Sequence, residues 1–265
     1  MKDKMDRIKT KSVPALDRAL QILEMLANSK TGLTLSEITR NLALAKSSAH
    51  YLLLTLERRG YLHRNRQTGR YMFGLKLFTL ANMALGGLGL RQQAAPFLIA
   101  LGQKTELTVN MAILDLNEVV LIEKVEPPGI FRLATWVGQR LPVHCTGLGK
   151  ALLAFLSEPE LDRIIKPGLL RHNENTIVSP RKLKEHLALV RKLGYAVDDE
   201  EATIGLRGIG APILDSLGQA VASISVSGTT TQITPENLGS FAERVRQTGI
   251  AISQQLGCDP SAVKP

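Results

Sequence analysis

Thr34–Gly60 reads TLSEITRNLALAKSSAHYLLLTLERRG, and this stretch decides the fold of the N-terminal third. Thr34 followed by Glu37 three residues on is a capping-box signature, which starts a helix running to about Asn41. Leu42-Ala43-Leu44 makes a tight turn. From Lys46 to about Arg59, Ala49, Leu52, Leu53 and Leu56 recur at core spacing, while Ser47, His50, Tyr51 and Arg58 fall on or near the opposite face. Gly60 ends this helix. Working outward, Pro14 suits a helix's first turn, and Leu16, Ala19, Leu20, Leu23 and Leu26 follow at helical spacing until Thr31-Gly32. On the other side, Tyr61–Arg64 and Arg70–Phe73 read as strands joined by an Asn65–Gly69 turn. Helix, helix, tight turn, helix, hairpin is the order of a winged helix–turn–helix.

The charge is divided to match. The chain of 265 residues carries a net charge of +9. Residues 1–90 hold 15 Lys/Arg against 6 Asp/Glu, whereas residues 91–265 hold 18 of each. A basic excess confined to one segment points to a polyanion partner for that segment. Lys46, Ser47 and Ser48 at the start of the third helix suit phosphates. His50 and Tyr51 are placed to reach base edges, and Arg58 lies near the same face. Arg64, Arg66 and Arg70 on the hairpin suit wing contacts to phosphate or the minor groove. The plainer reading is a solvated basic face on a protein-interaction winged helix. The two part on salt: several phosphate contacts make affinity for duplex fall steeply with log salt.

Met1 to Ser12 is a mixed-charge tail read as flexible, and nothing there reads as a signal peptide. The stretch Leu75–Leu90 contains Lys76, Asn82 and three glycines, too interrupted to span a membrane. Leu75–Leu85 reads instead as a helix that is apolar nearly all round and needs cover from another element or another chain. Gly86, Gly87 and Gly89 give a hinge. Beyond it, helices are expected at Arg91–Thr105, Thr146–Leu156, Glu158–Ile165, Pro180–Leu193 and Pro235–Leu256. Strands are expected at Thr108–Leu114, Val119–Lys124, Gly208–Leu214 and Ala220–Ser227. For the acidic run Asp198–Glu201 the plainer reading is a solvated loop rather than a ligand site. Two cysteines, Cys145 and Cys258, provide neither a disulfide framework nor a zinc spacing, which suits a reduced, cytoplasmic protein.

The fold class is therefore α+β, with residues 1–12 a flexible basic tail, 13–73 the winged helix–turn–helix, 74–90 a linker helix and hinge, 91–258 a second domain, and 259–265 a tail. An enzyme built on His144-Cys145 is disfavoured. Neighbours on a strand point to opposite faces, and no third orienting group is evident. Cys145 reads better as a small buried apolar residue. The five histidines show no paired spacing, so no metal or other cofactor is expected.

Several blocks resemble the IclR family of bacterial transcription regulators: Ala15–Leu23, Ala45–His50, Leu56–Leu62, Gly138–Ala154, Gly194–Glu201, Gly205–Ile213 and Ala222–Gly228. Their order and spacing along nearly the whole chain are specific in a way that a lone helix–turn–helix is not. The resemblance implies a winged helix–turn–helix, a linker helix and a C-terminal α/β effector domain similar to GAF and PAS folds. It implies homodimers, often paired into homotetramers, on palindromic operators, with repression the commoner outcome. Two departures stand out. Tyr51 occupies a position where the family often has arginine, and Gly208 one where it often has cysteine.

Pockets in that family are lined by segments matching Thr146-Gly147-Leu148, the acidic run and the Ser-Val-Ser strand. The residues suit the task. Gly147 lets a ligand approach the backbone, and the N–H groups of Gly147 and Leu148 at a helix start favour a carboxylate. Ser225 and Ser227, two apart on a strand, share a face. Asp198 is an acceptor for a ligand hydroxyl or amide. Leu133, Leu141 and Leu206 supply apolar walls, and Gly208 alters one wall. A small organic acid is the expected effector.

Overall fold

The computed structural model describes residues 13–84, 89–127 and 133–259. The expected tail at 1–12, Gly86 and Gly87 of the expected hinge and the end of the chain from 260 lie outside them, whereas Gly89, also expected in the hinge, opens the helix Gly89–Thr105. The chain divides into two compact units, Met1–Leu88 and Gly89–Pro265. Among the described residues no helix is long and apolar enough to cross a membrane.

In the first unit α1 (Pro14–Ala27) starts on Pro14 and buries Ile22 and Leu26. The capping box of α2 (Leu35–Asn41) is present. Glu37 Oε2 accepts from Thr34 N at 2.7 Å and from Thr34 Oγ1 at 2.9 Å. Ala43 takes the left-handed backbone (φ 49°) that the tight turn before α3 (Lys46–Arg58) requires. Gly60, also left-handed at φ 78°, ends that helix and turns the chain into the wing. The wing pairs β1 (Leu62–Arg64) with β2 (Tyr71–Phe73), Leu62 opposite Phe73. Ile22, Leu26, Ile38, Leu53, Leu62 and Tyr71 form the core of this unit. On the apolar helix α4 (Leu75–Ala84), Leu75 is 85% exposed and Met83 72% among the described residues.

The second unit is a six-stranded antiparallel sheet in the order β5-β4-β3-β8-β7-β6. Its strands are β3 (Thr108–Asp115), β4 (Glu118–Val125), β5 (Arg140–Pro142), β6 (Ala196–Asp199), β7 (Leu206–Leu214) and β8 (Ala220–Thr229). Helices α5 (Gly89–Thr105) and α9 (Pro235–Gln255) pack on one face; α6 (Gly147–Leu153) packs on the other, followed outward by α8 (Pro180–Leu193). α7 (Glu158–Ile165) joins the cluster around α6 and α8 through Leu161, Ile164 and Ile165. Because both faces are covered, β7 is buried along nearly its whole length, and its sequence lacks a clean polar alternation.

Three expectations are corrected. The acidic run is no solvated loop: Ala196–Asp199 is an edge strand on β7, and Glu201 is 5% exposed. His144 and Cys145 lie in irregular chain between β5 and α6 rather than on a strand. α6 stops at Leu153, three residues short of the expected Leu156.

Candidate functional sites

On the first unit, α3 turns Ala49 and Leu53 inward and leaves Lys46, Ser47, Ser48, His50, Tyr51 and Arg58 exposed. Tyr51 is 68% exposed. Ala45 stands at the N-cap and supplies no side-chain hydrogen bond, so the first-turn N–H groups are left for an outside acceptor such as phosphate. On the wing, Arg66 is exposed, and Arg64 lies 5.5 Å from the Tyr71 ring centroid, a cation–π distance. Arg70, expected as a wing contact, is instead engaged within the protein. It donates to Gly32 O at 2.7 Å and pairs with Glu37 at 3.3 Å. It therefore ties the wing to α2. The Thr34 hydrogen bonds, with help from Arg70, hold the Glu37 carboxyl below its ordinary pKa.

In the second unit a cavity of about 120 Å³ opens between the sheet and the start of α6. Its wall includes all ten residues expected for an effector: Leu133, Leu141, Thr146, Gly147, Leu148, Asp198, Leu206, Gly208, Ser225 and Ser227. The period-2 alternation explains how strands distant in sequence meet there. Asn110 pairs with Ser225 and Gly208 with Ser227 in adjacent ladders, so the Asn110, Ser225 and Ser227 side chains share one face, which Gly208 leaves open. Asn110, Thr135, Ala202, Thr203 and Arg207 also line the cavity and were not singled out from sequence. Asn110 carried a signal, as a lone amide inside an apolar strand. Lys124 Nζ holds the cavity's rim by donating to Leu133 O at 2.9 Å and Thr135 O at 2.7 Å.

The structure changes the reasons for three of the ten. Gly147 admits the sheet rather than a ligand. A Cβ there would stand 2.9 Å from Gly210 N, and one on Gly210 would stand 2.3 Å from Gly147 O. Thr146 gives its one hydroxyl proton to Pro142 O at 2.8 Å and accepts from Gly149 N at 3.1 Å, so it acts as the cap of α6. Asp198 Oδ1 accepts from Glu201 N at 2.9 Å and Ala202 N at 3.3 Å. Gly208 does open the cavity: a Cβ would meet Ser227 Oγ at 3.4 Å.

Burial pushes the Asp198 carboxyl up to about 7, against the pull of Lys150. A carboxyl whose folded pKa lies above its unfolded value stabilises the fold while protonated. That contribution is complete below 3.8 and is lost as pH rises to about 7. In Asp198→Asn the amide oxygen still accepts both N–H bonds and no charge forms. The variant is therefore expected to gain stability relative to wild type as pH rises through this window, read as the difference in urea midpoints. A gap that stays constant with pH would refute the assignment.

Behind the cavity lies a charged pair that composition hides. The Lys150 side chain is fully buried, and its ammonium donates to Glu201 and to Val197 O. Burial pushes the Glu201 carboxyl up while Lys150 pulls it back. Cys145 is wholly buried, and burial together with Asp198 and Glu201 raises its thiol to about 12. Such a thiol is a poor nucleophile at neutral pH. The loop after α7 brings His172 against His144, ring centroids 5.8 Å apart, a neighbour that sequence spacing did not reveal.

The model of the IclR helix-turn-helix domain matches residues 15–66, and that of the bacterial transcriptional regulator IclR C-terminal region matches residues 82–254. The chain is 35% identical over 246 residues to the HTH-type transcriptional regulator XynR of Escherichia coli K12, covering 92% of this chain and 98% of XynR. It is 35% identical over 251 residues to the transcriptional repressor IclR of the same strain, covering 94% and 92%. Among solved structures, an IclR homolog from Microbacterium hydrocarbonoxydans complexed with 4-hydroxybenzoate superposes with a TM-score of 0.79 at 27% identity, over 92% of this chain and 99% of that one.

Proposed function

This chain belongs to the IclR family of bacterial transcriptional regulators, and from that premise we propose a repressor whose hold on its operator is set by a small organic acid in the cavity of the second unit. The protein is a DNA-binding transcription regulator and not an enzyme, as its named relatives are.

The observation that carries it is the composition of one cavity wall. Ser225, Ser227 and Asp198 line it beside the apolar Leu133, Leu141 and Leu206. A few polar groups set into an apolar wall orient a small ligand. A carboxylate suits the Ser225 and Ser227 hydroxyls, each of which has a proton to donate. The 4-hydroxybenzoate of the Microbacterium homologue is a ligand of this class.

The exposed apolar residues of α4, with Leu16 and Leu20 of α1, 59% and 50% exposed, are the surface a second copy would cover. A homodimer then presents two α3 helices to a palindromic operator in the cytoplasm, where the chromosome is. Lys46, Ser47, Ser48, His50, Tyr51, Arg58, Arg64 and Arg66 are the residues assigned to DNA.

Two measurements test this. Affinity for operator duplex is expected to fall steeply with log salt; a flat dependence would favour a protein-interaction module. A thermal-shift screen of small carboxylic acids should find a ligand that raises stability. The Ser225→Ala, Ser227→Ala double variant should lose that shift and retain operator binding. A normal response to the true inducer in this variant would remove the cavity assignment.

A further inference from the structure

Beside the cavity, three side chains with metal-ligating atoms converge from two parts of the chain. His144 and Cys145 precede α6, and His172 sits on the loop between α7 and α8. Each offers one ligand atom, and the three atoms lie within 4.8 Å of one another.

The positions are held without a metal. His172 N and Asn173 N donate to Thr176 Oγ1 at 3.1 and 3.0 Å. Thr176 Oγ1 donates in turn to Glu201 O at 2.8 Å, and Asn173 Nδ2 donates to Glu200 O at 2.9 Å. The loop carrying His172 is thus pinned to the buried acidic segment. His144 Nε2 lies 2.9 Å from Leu170 O. A ring N–H given to that carbonyl leaves the lone pair on Nδ1, and a backbone carbonyl behind a histidine is the usual outer partner of a metal ligand.

The donor chemistry narrows the ion. Two imidazoles and one thiolate form a borderline-soft set, suited to Zn²⁺ and unsuited to Mg²⁺ or Ca²⁺. Three protein ligands leave a fourth position free, and the exposure of His172 lets water reach it. The surrounding charges are mixed. Asp198 and Glu201 face Cys145 and favour a cation. Lys150 faces both Cys145 and His144 and opposes one, though it is itself paired with Glu201.

We propose that His144, Cys145 and His172 form a zinc-class metal site that ties the α7–α8 loop to the start of α6, the wall of the effector cavity. The site is separate from the organic-acid cavity and stands whether or not that ligand reading holds. Binding deprotonates the Cys145 thiol and releases that proton, so uptake strengthens as pH rises.

The test uses the full-length protein stripped with a chelator and titrated with Co²⁺ as a spectroscopic probe. Wild type is expected to take up one equivalent per chain, with a near-ultraviolet sulfur-to-cobalt charge-transfer band and visible bands of four-coordinate intensity. Zn²⁺ should displace the cobalt and raise the unfolding temperature. Cys145→Ser should remove the charge-transfer band. His172→Ala should weaken Zn²⁺ by more than the roughly 10- to 100-fold lost with an outer-shell partner. Absence of the charge-transfer band in wild type, or Zn²⁺ binding by His172→Ala equal to wild type, overturns the proposal. Should Cys145→Ser fail to fold, the exposed His172 still decides the matter.

Discussion

Lys150→Met is expected to destabilise the second unit by about 3–5 kcal/mol, the usual consequence of removing one partner of a buried ion pair. The Lys150 side chain is fully buried and that of Glu201 is 7% exposed, so water cannot take over the ammonium's part. The variant leaves the Glu201 carboxylate, already lacking a partner for Oε2 among the described residues, without its counter-charge. Glu201 must then take up a proton or move, and either change disturbs Asp198, whose Oδ1 is held by the Glu201 N–H. The ligand-induced thermal shift should therefore weaken together with stability. The double variant Lys150→Met, Glu201→Leu removes both charges and should recover most of the loss, since apolar replacement of a whole buried pair is often neutral or better. Urea midpoints of the two variants and wild type complete the comparison. A Lys150→Met protein as stable as wild type would show that the pair is not buried in solution.

The second large effect belongs to the reading head. Leu53 sits on the inner face of α3 and is wholly buried among Ile22, Ile38, Leu62 and Tyr71. Leu53→Ala is expected to cost about 2–5 kcal/mol through lost burial and the cavity left behind. A unit this small has little stability to lose. Operator binding should collapse, while the effector unit, with its own core, keeps its ligand-induced thermal shift. Tyr51→Ala is the matched control on the opposite face of the helix. Its exposed ring predicts a stability change within about 0.5 kcal/mol, so any loss of operator affinity would report a lost contact rather than unfolding. Leu53→Ala binding operator like wild type would mean that the core of the head is not where the structure has it.

Much of this protein is legible in its sequence, for an identifiable reason. The Thr34–Glu37 capping box, the Gly60 stop and the Ala49/Leu53 face of α3 depend only on residues a few positions apart, joined by hydrogen bonds or helical periodicity. The shared face of Ser225 and Ser227 follows from the pleat of one strand. The confinement of the basic excess to residues 1–90 needs no structure at all.

The tertiary structure decided which polar residues are withdrawn from water. Arg70 looks like its neighbours Arg64 and Arg66 until Glu37, 33 residues away, is found beside it. Glu201 looks like part of a solvated acidic run until Lys150, 51 residues away, is found buried against it. Gly147 looks like an opening for a ligand until the backbone of Gly210 is found where a side chain would go, and His172 acquires meaning only beside Cys145. In each case the partner arrives from a different strand, helix or loop. Local rules determine how a segment is shaped and which way it faces. What stands opposite that face, and hence whether a charge is solvated, paired or placed to hold a ligand, is set only when distant segments pack together.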